Sequence, residues 1–183
     1  MSVRPRKAPA KAAIELSIVL ETFLGDDRFP IDVEAFALEY SKNFSDPITK
    51  IKGIEIPGFE GMLRASRKKP EWHIFYNSNT RYPGRERFTL AHEFGHYQLH
   101  RKELSSSHYD RSEIQIHDTD FQCNPIRQNM WAKEEKEREE EADTFASFLL
   151  MPINDYREQV ASQELSTNLL AHITSRYGVT LTA

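Results

Sequence analysis

The sequence predicts an α+β domain: a small antiparallel or mixed sheet packed against one strong helix, with further helices at both ends. Three observations carry this. Both flanks hold apolar residues at helical spacing. The stretch from Ile48 to Asn77 alternates in polarity or is rich in β-branched and aromatic residues. Finally, "PGRERFTLAHEFGHYQLHRKEL" and "WAKEEKEREEEADTFASFLLM" are long, uninterrupted helical patterns.

Taken in order, "KAAIELSIVLETFLG" keeps helical spacing and closes on Gly25, a helix stop. "FPIDVEAFALEYS" reads as a second helix, with Asp32 as its N-cap. "ITKIKGIEI", "GMLRAS" and "EWHIFYN" read as about three strands of an antiparallel sheet, with the basic turn "SRKKPE" as an exposed hairpin end. Residues 104–130 hold "SSS", "HDTD" and "CNP", and are expected to form a long loop or insertion between the two strong helices. The second of those helices stops at Pro152. Residues 153–177 read as one or two more helices ending at Gly178. The closing "VTLTA" resembles the cap of another helix, so a further C-terminal part is expected. The domain reading is a flexible basic tail over 1–10 and a single domain over 11–183.

Composition narrows the function. Of 183 residues, 39% are hydrophobic and 11% aromatic, enough for a core and too many for a disordered chain. A net charge of -4 gives no global attraction to nucleic acid or membrane. Basic residues of the tail (Arg4, Arg6, Lys7) and of the 64–69 turn are the sole hints of the former, so no direct nucleic-acid contact is expected. Cys123 is the only cysteine, which excludes an intrachain disulfide and suits a reducing compartment. No apolar run is long enough to span a bilayer, and Glu15 and Ser17 interrupt the apolar part of the basic N-terminus. The expected location is cytoplasmic.

The chemistry lies in "FTLAHEFGHYQLH". His92 and His96 are four apart, about 40° on one helical face, so both imidazoles can point to one ion. Glu93 lies about 100° round from His92, close enough to reach a water there without being a ligand. This is the H-E-x-x-H arrangement of zinc peptidases, with glutamate as general base. Phe88, Ala91, Gly95 and Leu99 form the adjoining apolar stripe, and Gly95 on that side implies close approach of another backbone. His100 sits about 12 Å along the axis from His92, too far to share the ion, and is expected to support the site.

A third ligand comes from "REEEADTFASFLLMP". With Glu139 at 0°, Ala142, Phe145, Ala146, Leu149 and Leu150 span about 240° through 20°, which puts Glu139 at the edge of the buried stripe. Glu140 and Glu141 fall further out, at about 100° and 200°. Asp143, at about 40°, is placed to accept an N–H from a ligand histidine and fix its tautomer. Glu135 is the rival third ligand, further from the apolar part of the helix. Glu134, Glu137 and Glu140 read as a solvated face, and His108, His117 and Cys123 match no standard metal spacing.

Together, "RERFTLAHEFGHYQLH" and "EREEEADTFASFLLMP" resemble the ImmA/IrrE family of zinc metallopeptidases. That family shows R-x-x-F-T-x-A-H-E-x-G-H followed by E-x-E-A-[DN]-x-F-A-x-x-L-L-M-P, the second running here from Glu139 through Glu141, Ala142, Asp143, Phe145 and Ala146 to Pro152. The resemblance covers residues 10–180, best at 72–100 and 137–152. It implies a zincin-like fold of the gluzincin kind, with zinc on His92, His96 and Glu139 and Glu93 as base. It also implies a helix-turn-helix repressor, of the kind found in phages and mobile elements, as substrate.

Under this reading the substrate lies extended along a sheet edge near "EWHIFYN", which makes Trp72, Ile74 and Tyr76 candidate substrate-binding residues. Tyr97, His100, Tyr82 or a histidine of the 104–130 segment would stabilise the oxyanion. The alternative is a zinc-bearing interaction protein that titrates a DNA-binding partner without cutting it, as in a toxin–antitoxin pair. Glu93 would then be dispensable.

Overall fold

The computed structural model of the chain describes residues 8–66, 68–79, 81–106, 120–123, 133–161 and 163–180. Helix α1 (Pro9–Leu24) opens inside the stretch expected to be a loose tail, because Pro9 suits a first helical turn, and it ends on Gly25 at φ 56. After a 3-10 turn, α2 (Val33–Ser41) is capped as expected by Asp32, whose carboxylate accepts from Ala35 N at 3.0 Å.

Strands β1 (Ile48–Ile54), β2 (Gly61–Ala65) and β3 (Trp72–Asn77) follow where the alternation placed them. β2 and β3 form the antiparallel hairpin closed by Ser66 N donating to Glu71 O at 2.8 Å. The sheet is mixed, one of the two arrangements expected, with order β1-β3-β2-β4: β1 pairs with β3 in parallel, where the three strands on their own read as antiparallel. Alternation reports which face of a strand is buried, not its direction. In addition, α3 (Pro83–Ser106) runs into the segment read as a loop, and β4 (Asp120–Cys123) lies within it, antiparallel to β2. Four residues of mixed polarity carry little strand signal of their own; the pairing with β2 makes this one.

α3 lies between the sheet and α4 (Lys133–Leu150), with α1 packed on α4. The core joins Leu63 and Ile74 of the sheet to Ala91, Phe94 and Tyr97 of α3, and to Phe145 and Leu149 of α4. Gly95 marks a close approach of α3 and α4: a Cβ there would meet Phe145 Cδ1 at 2.9 Å and Ala142 O at 3.3 Å. This is the close backbone approach that its position in the stripe implied. A polar anchor fixes the far end of α3. Asp46 accepts from Trp72 Nε1 at 3.1 Å and from Arg101 Nε at 3.4 Å, while Tyr97 Oη donates to Asp46 O at 3.0 Å.

Helices α5 (Ile153–Val160) and α6 (Thr167–Tyr177) complete the fold. α6 ends on Gly178 at φ 60, and Gly178 O accepts from Arg87 Nη1 at 2.7 Å, which ties the chain back to the start of α3. Asp155 of α5 is buried and accepts from Arg176 at 2.6 and 2.9 Å and from Tyr177 Oη at 2.5 Å. Burial pushes the Asp155 carboxyl up, but the hydrogen bonds from Arg176 and Tyr177 outweigh it and hold the group below the usual range. Such a group stabilises the fold above the unfolded carboxyl pKa, about 4, and that contribution fades as pH falls through the lower folded value. Asp155→Asn should therefore cost about 2 kcal/mol at pH 7 and much less near pH 2. Thermal melts of both proteins across that range check it; a gap that stays constant with pH contradicts the assignment.

Candidate metal centre

The H-E-x-x-H turn of α3 faces α4 at the level of Gly95, which lies against Ala142 and Phe145. That proximity lets short side chains meet. His92 Nε2 lies 2.9 Å from His96 Nε2 and 3.2 Å from Glu139 Oε2, and His96 Nε2 lies 3.2 Å from Glu139 Oε1. Three donor atoms thus converge on one point, and all three residues are buried. Tetrahedral zinc with bonds of about 2.0–2.1 Å keeps its ligand atoms about 3.3 Å apart, so a spreading of a few tenths of an ångström separates this set from one that fits the ion. The donor set, two imidazoles and a carboxylate, is one that zinc accepts.

Electrostatics point the same way. Burial pulls His92 down, but Asp143 and Glu139 outweigh it and raise the imidazole to about 10. Burial dominates at His96, which is lowered to about 3 despite Glu139. Burial would raise Glu139, yet the adjoining His92 and His96 hold it below the usual carboxylate range. The raised His92 and the lowered Glu139 both show that this cluster favours positive charge among its donor atoms.

The surroundings orient the donors. His92 Nδ1 is 2.8 Å from Asp143 Oδ1, the contact the helical wheel anticipated, on a carboxylate whose side chain is 58% exposed. Glu93 is fully buried and lies beneath Gly61 of β2, where a Cβ would overlap Glu93 Oε1 and meet Thr89 Cγ2 at 2.7 Å. Only glycine lets the strand pass this close over the glutamate. Sequence reasoning did not single out Gly61, and no local pattern marks it.

Other expectations need correction. Trp72 and Ile74 are 3% and 0% exposed, and with half-buried Tyr76 they face the core. β3 is bonded to β1 on one side and β2 on the other, so it offers no edge to a substrate. The face of β3 that carries all three packs on the core and is not the accessible one. Among the oxyanion candidates, Tyr97 is a core residue, and His100 is buried behind His96. Tyr82 is 60% exposed and lines a cleft of about 410 Å³ with Thr89, Arg85 and Glu60. Glu134, Glu137 and Glu140 are exposed as expected. Glu141, read as facing outward, instead reaches His100, at 2.8 Å. His108 and His117, and the Cys123 side chain, lie outside the described residues.

The family model of the IrrE N-terminal-like domain, Peptidase_M78, matches residues 50–183, a stretch that includes both motif helices and the whole sheet except the first residues of β1. The chain belongs to the ImmA/IrrE family of peptidases. No curated protein matches it. Family membership makes this a peptidase-type domain whose substrates are proteins, with a His-His-Glu group able to hold a metal. Among the described residues no helix is long and apolar enough to cross a membrane.

Proposed function

We propose that this member of the ImmA/IrrE family is a zinc-dependent endopeptidase that cuts a helix-turn-helix repressor or a similar regulatory protein. The observation that carries the reading is the convergence of His92 Nε2, His96 Nε2 and a Glu139 oxygen on one point, beside a buried Glu93. His92, His96 and Glu139 would hold the ion. When bound, zinc supplies Lewis acidity, which makes water easier to deprotonate and a carbonyl easier to attack. Glu93 takes the proton of the attacking water and returns it to the leaving amine nitrogen. Gly61 gives the Glu93 carboxylate its room, and Asp143 keeps the His92 ring turned toward the site.

An extended substrate has a place to bind other than β3. β4 is the outer strand beside β2 among the described residues, and its Cys123 pairs with Gly61, directly above Glu93. Backbone pairing along the side of β4 away from β2 would bring a peptide bond to the site. The test is incubation of the zinc-loaded protein with helix-turn-helix regulators encoded beside its gene. Cleavage that stops with a chelator and returns with zinc supports the reading. A regulator that binds and stays intact supports the titrating alternative.

A further inference from the structure

His100 and Glu141 have no part in the reaction as described so far, yet they lie behind a proposed ligand. His100 is completely buried, with its Nδ1 2.9 Å from His96 Nδ1 and its Nε2 2.8 Å from Glu141 Oε2. The proton positions follow from the chain of contacts. A carboxylate can only accept, so His100 Nε2 must carry the hydrogen it donates to Glu141. For His96 to present its Nε2 lone pair to a cation, its hydrogen must sit on Nδ1 and be donated to the Nδ1 lone pair of His100, the arrangement that a His100 donating from Nε2 to Glu141 completes. Nε2 is the atom that points at Glu139 and His92.

We propose that His100 and Glu141 are positioning residues: a buried hydrogen-bond relay that runs from the surface to His96 and sets its tautomer for metal binding. The inference rests on the metal-site reading above for its purpose, but not for its geometry. It makes the two histidines equivalent in design. Asp143 fixes His92 directly through Nδ1, from a largely exposed position. At His96 a second imidazole meets Nδ1 and carries the polarity inward from Glu141, which is 29% exposed. A donor in place of Glu141 makes an acceptor of His100 Nε2 and puts the His100 hydrogen on Nδ1, facing His96. That would place the His96 proton on Nε2, where the ion belongs.

The experiment compares the full-length wild type with Glu141→Gln and Glu141→Lys. Glutamine still offers an oxygen to His100, whereas lysine can only donate and reverses the polarity of the relay. Two readouts are taken: long-range proton–nitrogen NMR of the histidine rings in metal-free protein, and zinc affinity by competition with a chromophoric chelator. The wild type and Glu141→Gln should show His96 with hydrogen on Nδ1. Glu141→Lys should move it to Nε2 and weaken zinc binding about 10–100-fold. An added positive charge alone weakens zinc without moving the proton, so an unchanged His96 tautomer in Glu141→Lys overturns the relay. If the tautomer moves but no version of the protein takes up zinc, the relay stands and the metal-site reading is what fails.

Discussion

Glu93→Gln should bind zinc as tightly as the wild type and lose peptide hydrolysis by about two to four orders of magnitude. The two halves of this expectation come from different features. Glu93 is not one of the three residues whose donor atoms converge, so its removal leaves the His92, His96 and Glu139 group complete. Glutamine has nearly the same shape as glutamate, and shape matters here because the side chain is fully buried under the Gly61 backbone. The substitution therefore removes a proton acceptor and little else. Cleavage is read with a regulator shown to be cut by the wild type, and zinc with the chelator competition already described. Full cleavage by the variant would take Glu93 out of the reaction. Wild type and variant that bind the regulator equally, and both leave it intact, would make this a binding protein built on a peptidase frame.

How much of this could be read from the chain depends on how local the cause is. Helix limits were legible because caps are local: Asp32 bonds to Ala35, and Gly25 and Gly178 adopt the positive φ that ends a helix. The donors were legible because helical spacing alone puts His92 and His96 on one face and Glu139 at the edge of another. What escaped was decided between distant segments. The parallel pairing of β1 with β3, the existence of β4, and the passage of Gly61 over Glu93 all depend on sheet assembly. Trp72, Ile74 and Tyr76 were correctly placed on a strand, but a single strand does not reveal whether it lies at an edge or in the interior. Glu141 shows a limit of the helical wheel itself. An angle describes where the Cβ starts, and a side chain as long as glutamate can swing from there to a partner at 2.8 Å.

The second large effect should come from Glu139→Ala, which ought to lower zinc affinity by well over a hundredfold. Changes to residues that merely orient a ligand cost about 10–100-fold, and this one removes a ligand atom outright. Two histidines on one helix would remain, a set that leaves zinc short of the three protein ligands of its catalytic sites. The same substitution also separates metal binding from folding. Glu139 lies 3.2 Å from the Nε2 atoms of both histidines, accepts from His92, and with Asp143 favours the protonated form of His92. Its loss leaves two adjacent buried imidazoles without that acceptor, so the metal-free variant should melt earlier by the equivalent of about 1–3 kcal/mol. Zinc per chain by elemental mass spectrometry, paired with melts in chelator and in excess zinc, reads both effects. The wild type should gain melting temperature with zinc, and the variant should gain almost none. A variant that still carries one zinc per chain would move the third ligand elsewhere. Glu135, one turn earlier on α4 and half-buried, would be next to test.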